Sequence, residues 1–147
     1  MKKLFYLTLI SIGMFSCDSD NEIDTYNEFA DIKFTVTSTE IDRQSEIESM
    51  ISNGTDDTGS TNLHIVDESY SNEHLPYTQE YIHQTVFHAT ILSLYFKDNS
   101  GAPIGQPFEP YTVTLNIYVD SNVVAEEEII ITDSGQVVNA GYDFSFF

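Results

Sequence analysis

The alternation of apolar and polar residues near the C-terminal end is the strictest constraint on the fold of this chain. Over residues 111–119 every second residue is apolar: Val113, Leu115, Ile117 and Val119. The same period recurs over residues 137–147, with Val138, Ala140, Tyr142, Phe144 and Phe146 on one face. Because successive side chains of a β-strand point to opposite faces, this period predicts strands with one buried face. Residues 120–122 and 133–135 supply tight turns, so we expect a closing meander over residues 111–147.

Two earlier segments also predict strands. Ile32, Phe34 and Val36 alternate with polar residues, which is typical of a half-buried strand. Residues 84–96 are rich in β-branched and aromatic side chains and place Leu92, Leu94 and Phe96 on one face. Their periodicity permits a helix, but these residue types favour a strand.

The pattern is ambiguous or polar between these segments. Residues 38–52 fit a short helix near residues 40–52, capped by Thr39 and ended by Gly54, with Ile41, Ile47 and Ile51 inward, and they equally fit an irregular pair of strands. Residues 53–79 are turn-rich with one short strand at 63–66, and residues 99–110 form a loop.

Six or seven short strands with one apolar face each predict an all-β chain folded as an antiparallel β-sandwich. Hydrophobic residues make up 41% of the chain and aromatic residues 13%, which is enough for a packed core. We place a single domain at residues 31–147. The closing meander resembles immunoglobulin-like and related sandwich modules, although the chain has no tryptophan and no cysteine pair. That resemblance implies a fold and no activity.

The N-terminal residues have the pattern of an export signal. Lys2 and Lys3 precede a short apolar stretch, residues 4–15, which is far below the ~18–20 residues of a membrane-spanning helix. Residues 14–17 resemble a lipobox, the cleavage site of the bacterial lipoprotein signal peptidase. The resemblance implies that residues 1–16 are a signal peptide and that Cys17 is lipidated. An ordinary secretory signal with a chance cysteine is the alternative.

An acidic stretch follows this cysteine at residues 18–24. It resembles the signal that sends lipoproteins to the cell surface in some Gram-negative bacteria, and it implies lipid anchoring in the outer membrane. In other Gram-negative bacteria an acid at the position of Asp18 favours retention in the inner membrane, so the periplasmic face and the inner membrane stay open. We interpret residues 17–30 as a solvated, flexible tether.

The charge of the chain excludes one class of partner. Five Lys and Arg residues stand against 24 Asp and Glu residues, a net charge of −19, and loss of Lys2 and Lys3 with the signal makes it −21. Such a charge repels phosphate backbones, so we expect no nucleic-acid binding. It favours a basic protein or divalent cations. Cys17 is the single cysteine, which leaves no internal disulfide and no catalytic thiol.

The polar middle contains the residues most typical of a binding site. Tyrosine rings beside carboxylates suit contacts with sugars or proteins. The candidate ligand-binding residues are Asp67, Glu68, Tyr70, His74, Tyr77 and Tyr81. The alternative is a loop that folds its own tyrosines onto the sandwich.

Other chemistry has little support in the sequence. His64 and His74 lie near acidic residues, but their spacing does not require a metal ion, so we predict no metal site and no cofactor. The chain has no Ser-His-Asp order, no phosphate-binding loop and no HExxH motif, so we predict no catalytic residues. Three consecutive acids, residues 126–128, are typical of an edge strand protected by charge.

These observations favour a non-enzymatic binding or accessory module, anchored by lipid at the cell envelope, that takes a glycan or a protein. The first alternative is an acidic inhibitor or immunity protein that neutralises a basic toxin or lytic enzyme. The weaker alternative is a hydrolase with an unrecognised carboxylate site.

Overall fold

The computed structural model describes residues 28–53, 63–86, 89–101 and 107–144, and all regular structure in these ranges is β. Residues 1–16, Cys17 and most of the predicted tether lie outside the described residues, as does Phe146. The strands are β1 (Glu28–Ser38), β2 (Gln44–Asn53), β3 (Leu63–His74), β4 (Tyr77–Val86), β5 (Thr90–Asp98), β6 (Tyr111–Val119), β7 (Asn122–Ile131) and β8 (Val137–Asp143).

The strands form two antiparallel sheets that pack face to face, which confirms the predicted β-sandwich. Sheet A has the order β4-β1-β6-β7, and sheet B has the order β3-β2-β5-β8. The edge strands are therefore β4 and β7 in sheet A, and β3 and β8 in sheet B. Because β3 and β4 belong to different sheets, the chain crosses from sheet B to sheet A at residues 75–76. The peptide bond between these two residues is cis.

The core lies between the sheets and consists of the alternating residues that the sequence predicts. Phe34 of β1, Phe96 of β5 and Leu115 of β6 are completely buried. Val138, Ala140 and Phe144 are buried beside them. Burial of each large apolar side chain contributes roughly 1.5–3 kcal/mol, so these rows provide most of the driving force for folding.

Of the two alternatives for residues 38–52, the short helix near residues 40–52 is wrong. Residues 44–53 are strand β2, which pairs with β3 on one side and β5 on the other. Ile47 and Ile51 are four residues apart and fit a helical period as well as a strand period, but Ser45 and Ser49 are also fully buried in the same row. Pairing with two neighbouring strands selects the extended conformation over local propensity.

The short strand predicted at residues 63–66 is the start of β3, but the turn-rich description of the rest of residues 53–79 is wrong where the structure describes them. Residues 53–79 contain all of β3 and the start of β4, two of the longer strands. The first strand begins at Glu28, three residues before the predicted start of the domain at residue 31.

The three closing strands do not form a single meander. β6 and β7 are a hairpin whose turn residues, Asp120 and Ser121, both have positive φ angles, 48° and 69°. That is the backbone of the two-residue turns that suit the twist of a hairpin. β8 then leaves this sheet and pairs with β5 in sheet B, where it lies beside β7 of sheet A.

A buried polar link joins the two sheets at one end of the sandwich. Asp98 of β5 is completely buried, and its Oδ1 accepts hydrogen bonds from Tyr111 Oη at 2.6 Å and Ser100 Oγ at 2.5 Å. Burial and the neighbouring Asp98 carboxylate raise the pKa of Tyr111, so its hydroxyl stays a hydrogen-bond donor.

Candidate functional site

Four of the six predicted site residues converge on one side of the sandwich, between the edge strands β3 and β4. Glu68 and Tyr70 lie opposite core-facing residues of β2, and Tyr77 and Tyr81 lie opposite core-facing residues of β1. Their side chains therefore point inward from the two edges. The rings of Tyr70 and Tyr77 are 5.5 Å apart across this gap. We call these four residues, with Ser49 of β2, the tyrosine cluster.

Hydrogen bonds connect most of the tyrosine cluster. Tyr70 Oη donates to Glu68 Oε2, and Tyr77 Oη lies 3.3 Å from Ser49 Oγ. The hydroxyl of Tyr81 is buried and has no hydrogen-bond partner among the described residues, while the Tyr81 ring packs edge-on against Phe34 at 6.1 Å. Tyr77 belongs to the core, and Tyr70 and Tyr81 are partly buried against it.

The environment of the tyrosine cluster keeps its phenols protonated. The hydrogen bond to Glu68, followed by burial, raises the pKa of Tyr70. Burial raises the pKa of Tyr77, and burial together with Glu68 raises the pKa of Tyr81 to about 12. A tyrosine nucleophile needs the opposite shift, towards the phenolate. The arrangement suits neutral hydrogen-bond donors that hold a carboxylate, and it does not favour covalent catalysis.

The structure does not bring the other two predicted residues to this cluster. Asp67 lies opposite Met50, on the outer face of sheet B, and is exposed. His74 is exposed at the end of β3, where it pairs with Gln44. The six residues therefore do not form one site. The three tyrosines that converge pack onto the sandwich, but from strands β3 and β4 and not from the loop of the alternative interpretation.

Ser49 is a member of the cluster that the sequence analysis missed. It is completely buried at the centre of β2 and contacts Tyr77. Its strand contains two further serines, Ser45 and Ser52, which are also buried, and no local pattern separates Ser49 from them. Only the pairing of β2 with β3, which sets Ser49 opposite Glu68, could have identified it.

A shallow surface pocket lies on the other side of β4, over the outer face of sheet A. It has a volume of about 150 Å³ and is lined in part by Lys33, Glu80 and Tyr118. Pockets for drug-sized ligands are typically ~300–1,000 Å³, so this one gives little support to an enclosed glycan site. Within the four described ranges, no group of three His, Cys, Asp or Glu side chains is placed to hold a metal ion.

The cationic side chains of the described residues are all engaged within the fold. The ammonium of Lys33 lies 4.3 Å from the centre of the Tyr118 ring. Arg43 donates to the carbonyl of Glu109 and lies over the rings of Phe108 and Tyr111, and Lys97 pairs with Glu46 at 3.2 Å. These contacts provide each of the three cations with a partner within the same chain. They leave most of the surface carboxylates without a cation from this part of the chain.

The clearest group of such carboxylates lies on β7, an edge strand of sheet A, as the run of acids predicts. Glu126, Glu127 and Glu128 are all exposed, and we call them the acidic edge. Glu126 and Glu128 lie on the outer face. Glu127 is in register with the buried Leu115, between Ala125 and Ile129, so it occupies the core-facing row of the strand. An acid in an otherwise apolar row was visible in the sequence as a break in the alternation.

The fold and these surfaces define the class of protein: an antiparallel β-sandwich with one acidic edge strand. No protein-family model matches the sequence, and no curated protein matches it. None of the described residues belongs to a helix long and apolar enough to cross a membrane.

Proposed function

We propose that this protein is a non-enzymatic binding module, held by lipid at the bacterial outer membrane, that engages a basic protein through the acidic edge. The anchor is supported by the basic start, the short apolar stretch and the lipobox-like residues that end at Cys17. The acidic residues that follow support display at the cell surface.

The observation that carries the binding function is the distribution of charge. Lys33, Arg43 and Lys97 are bound within the fold, whereas the three carboxylates of the acidic edge have no hydrogen bond or ion pair with a described residue. Uncompensated carboxylates on one edge attract a cationic partner and speed its encounter. A hydrolase based on carboxylates has less support, because Glu68 is already bound by Tyr70.

An acidic inhibitor of a basic toxin or lytic enzyme is the special case in which the partner is a cationic enzyme. The charge distribution supports it equally.

The binding test compares two triple variants of the full chain, purified in detergent, that have the same net charge. One carries Glu126→Gln, Glu127→Gln and Glu128→Gln. The control removes three exposed acids elsewhere, on strands β2, β3 and β4: Glu48→Gln, Asp67→Asn and Glu80→Gln. Binding to immobilised poly-lysine is measured at low and at moderate salt.

We expect the acidic-edge variant to bind about tenfold more weakly than the control, which corresponds to ~1.4 kcal/mol. The difference should shrink with added salt, since the screening length is about 10 Å at 0.1 M. Equal losses in the two variants would show that net charge alone governs binding, and the proposal would fail. The anchor is tested separately by the intact mass of the natural protein, which should begin at an acylated Cys17. An unmodified thiol there contradicts it.

A further inference from the structure

The four edge strands of the sandwich differ in how well they are protected against pairing with another strand. β3, β4 and β7 each carry an extra residue that shifts the register, at Asn72, His83 and Val124 respectively. Asn72 and His83 have positive φ angles of 63° and 56°. Bulges of this kind, together with charged residues, disrupt the row of hydrogen-bonding groups that a new strand needs.

β8 has no bulge and little charge. Its pairing with β5 is continuous, without a register shift, from Val137 to Asp143. Asp143 at its end is the one charged residue of the strand. Across the described ranges of the chain, no strand pairs with the other side of β8.

The direction of the backbone groups of β8 follows from two hydrogen bonds. Phe144 N–H donates to the carbonyl of Thr90, and the carbonyl of Gln136 accepts from Asp98 N–H, so even-numbered residues face β5. In an antiparallel strand the direction alternates with each residue. The residues whose N–H and C=O groups face the free side are therefore Val137, Asn139, Gly141 and Asp143.

The charge beside this free edge is negative. β7 is the neighbouring edge strand in the other sheet, and Glu127 occupies its core-facing row, on the side of β7 towards sheet B. Ala125 and Ile129 flank Glu127 and are partly buried. A lysine or arginine above this row can place its aliphatic stem on the apolar neighbours and its charge at the carboxylate. A second copy of this chain would bring a second acidic edge against the first, which opposes self-pairing.

We infer that the free edge of β8 accepts an extended basic segment of a partner protein as a fifth strand of sheet B. Main-chain hydrogen bonds to the four outward-facing residues provide the pairing, and basic residues at alternate positions of the segment reach Glu127. The inference rests on the proposed function, because it specifies where and in what conformation the basic partner binds.

The experiment uses the full chain in detergent and a short acetylated, amidated peptide in which lysine and threonine alternate. Hydrogen exchange is followed at individual amides by NMR. The peptide should slow exchange at Val137, Asn139, Gly141 and Asp143, and it should leave the outward amides of β3, β4 and β7 unchanged. The same peptide with methylated backbone nitrogens at alternate positions should bind about tenfold more weakly, since it loses hydrogen bonds but no charge.

One variant removes the pairing from the side of the protein. Asn139→Pro deletes an outward N–H and no hydrogen bond to β5, and proline is tolerated at such positions of edge strands. It should weaken the peptide about tenfold. Should this variant unfold, the methylated peptide decides the question, because it leaves the protein unaltered.

Three results would overturn the inference. Equal binding of the methylated and unmethylated peptides shows that strand pairing is absent. If, in that case, the acidic-edge variant still binds the peptide more weakly than its control, the proposed recognition of a basic partner stands and only the pairing with β8 fails. Slowed exchange at another edge places the peptide elsewhere. Slowing that appears without peptide and grows with protein concentration identifies a second copy as the occupant.

Discussion

The β3–β4 side and the β7–β8 side of the sandwich each end in two edge strands, but their inward-facing acids have different surroundings. On the first side, Glu68 accepts a hydrogen bond from Tyr70 and lies beside two further tyrosines. On the second, Glu127 is exposed between Ala125 and Ile129 and has no partner among the described residues. One acid is built into the packing, and the other is not.

This difference indicates what each side can do. A carboxylate removed from water needs hydrogen-bond donors, and the tyrosine cluster supplies one from the chain itself. Glu127 keeps its hydration and remains available for a donor from another molecule. We therefore expect the tyrosine cluster to contribute to stability, and the binding surface proposed above lies on the opposite side.

The largest expected effect on stability comes from the β3–β4 side. Tyr77 is 7% exposed, and Tyr77→Ala removes its ring from the core. Replacing a buried aromatic residue by alanine typically costs ~3–5 kcal/mol. We expect the free energy of unfolding, measured by denaturant titration, to fall by about 3 kcal/mol. Tyr77→Phe, the matched control, loses only the contact with Ser49 and should cost about 1 kcal/mol. A loss below that for Tyr77→Ala would contradict the packed role.

The sequence predicted the strands whose two faces differ most. The alternation is clearest in β6, where aliphatic residues on one face are separated by Thr112, Thr114 and Asn116 on the other, and β5 and β8 likewise keep a continuous row of buried apolar side chains. β2 was ambiguous because Ser45 and Ser49 occupy core positions that a strand pattern expects to be apolar. Of β3 only residues 63–66 were predicted, and of β4 only its end, because at an edge the inward row is only half-buried. Glu68 and Gln79 can stand in such a row without a large desolvation cost.

The candidate site was predictable only in part, for a related reason. A local excess of tyrosine and acid identified the segment that holds the cluster, but strand register decides which of these residues meet. Asp67 and Glu68 are adjacent in sequence and face opposite sides of β3. Recognition of β8 as an unprotected edge depends on the order of strands in two sheets, which no local pattern contains.

The second prediction concerns the hydrogen bond inside the cluster. Tyr70→Phe keeps the ring and leaves the Glu68 carboxylate with one donor fewer. Hydrogen bonds to charged groups contribute ~1.5–3 kcal/mol, and partial exposure of both residues places the expected loss at about 1 kcal/mol. Denaturant titration measures it. Tyr95→Phe, at a half-exposed tyrosine on the outer face of β5, should leave stability unchanged. If the two variants behave alike, the Tyr70–Glu68 bond does not stabilise the fold.

The third prediction is an alkaline transition. Burial and Glu68 raise the pKa of Tyr81 from 10.0 to about 12, and the pKa of Tyr77 is raised as well. Between these values the native state holds a proton that the unfolded state has lost. The free energy of unfolding should thus be insensitive to these groups below about pH 10 and should fall as the pH rises towards 12. The phenolate absorbance should appear in two steps, with the buried tyrosines last. A single rise in phenolate absorbance near the ordinary tyrosine pKa would show that the tyrosines of the cluster are exposed to solvent.

The smallest expected effect on stability comes from the acidic edge. Its three glutamates are exposed and make no hydrogen bond or ion pair with the described residues, so converting all three to glutamine should change the free energy of unfolding by less than ~0.5 kcal/mol. Because the substitutions relieve repulsion between neighbouring carboxylates, we expect the free energy of unfolding to rise slightly. The triple variant should associate with itself in a concentration-dependent manner, because β7 loses the charges that protect its edge. Light scattering measures this association. A loss of stability comparable to that of Tyr70→Phe would mean that these acids have partners in the fold, and the contrast between the two sides would disappear.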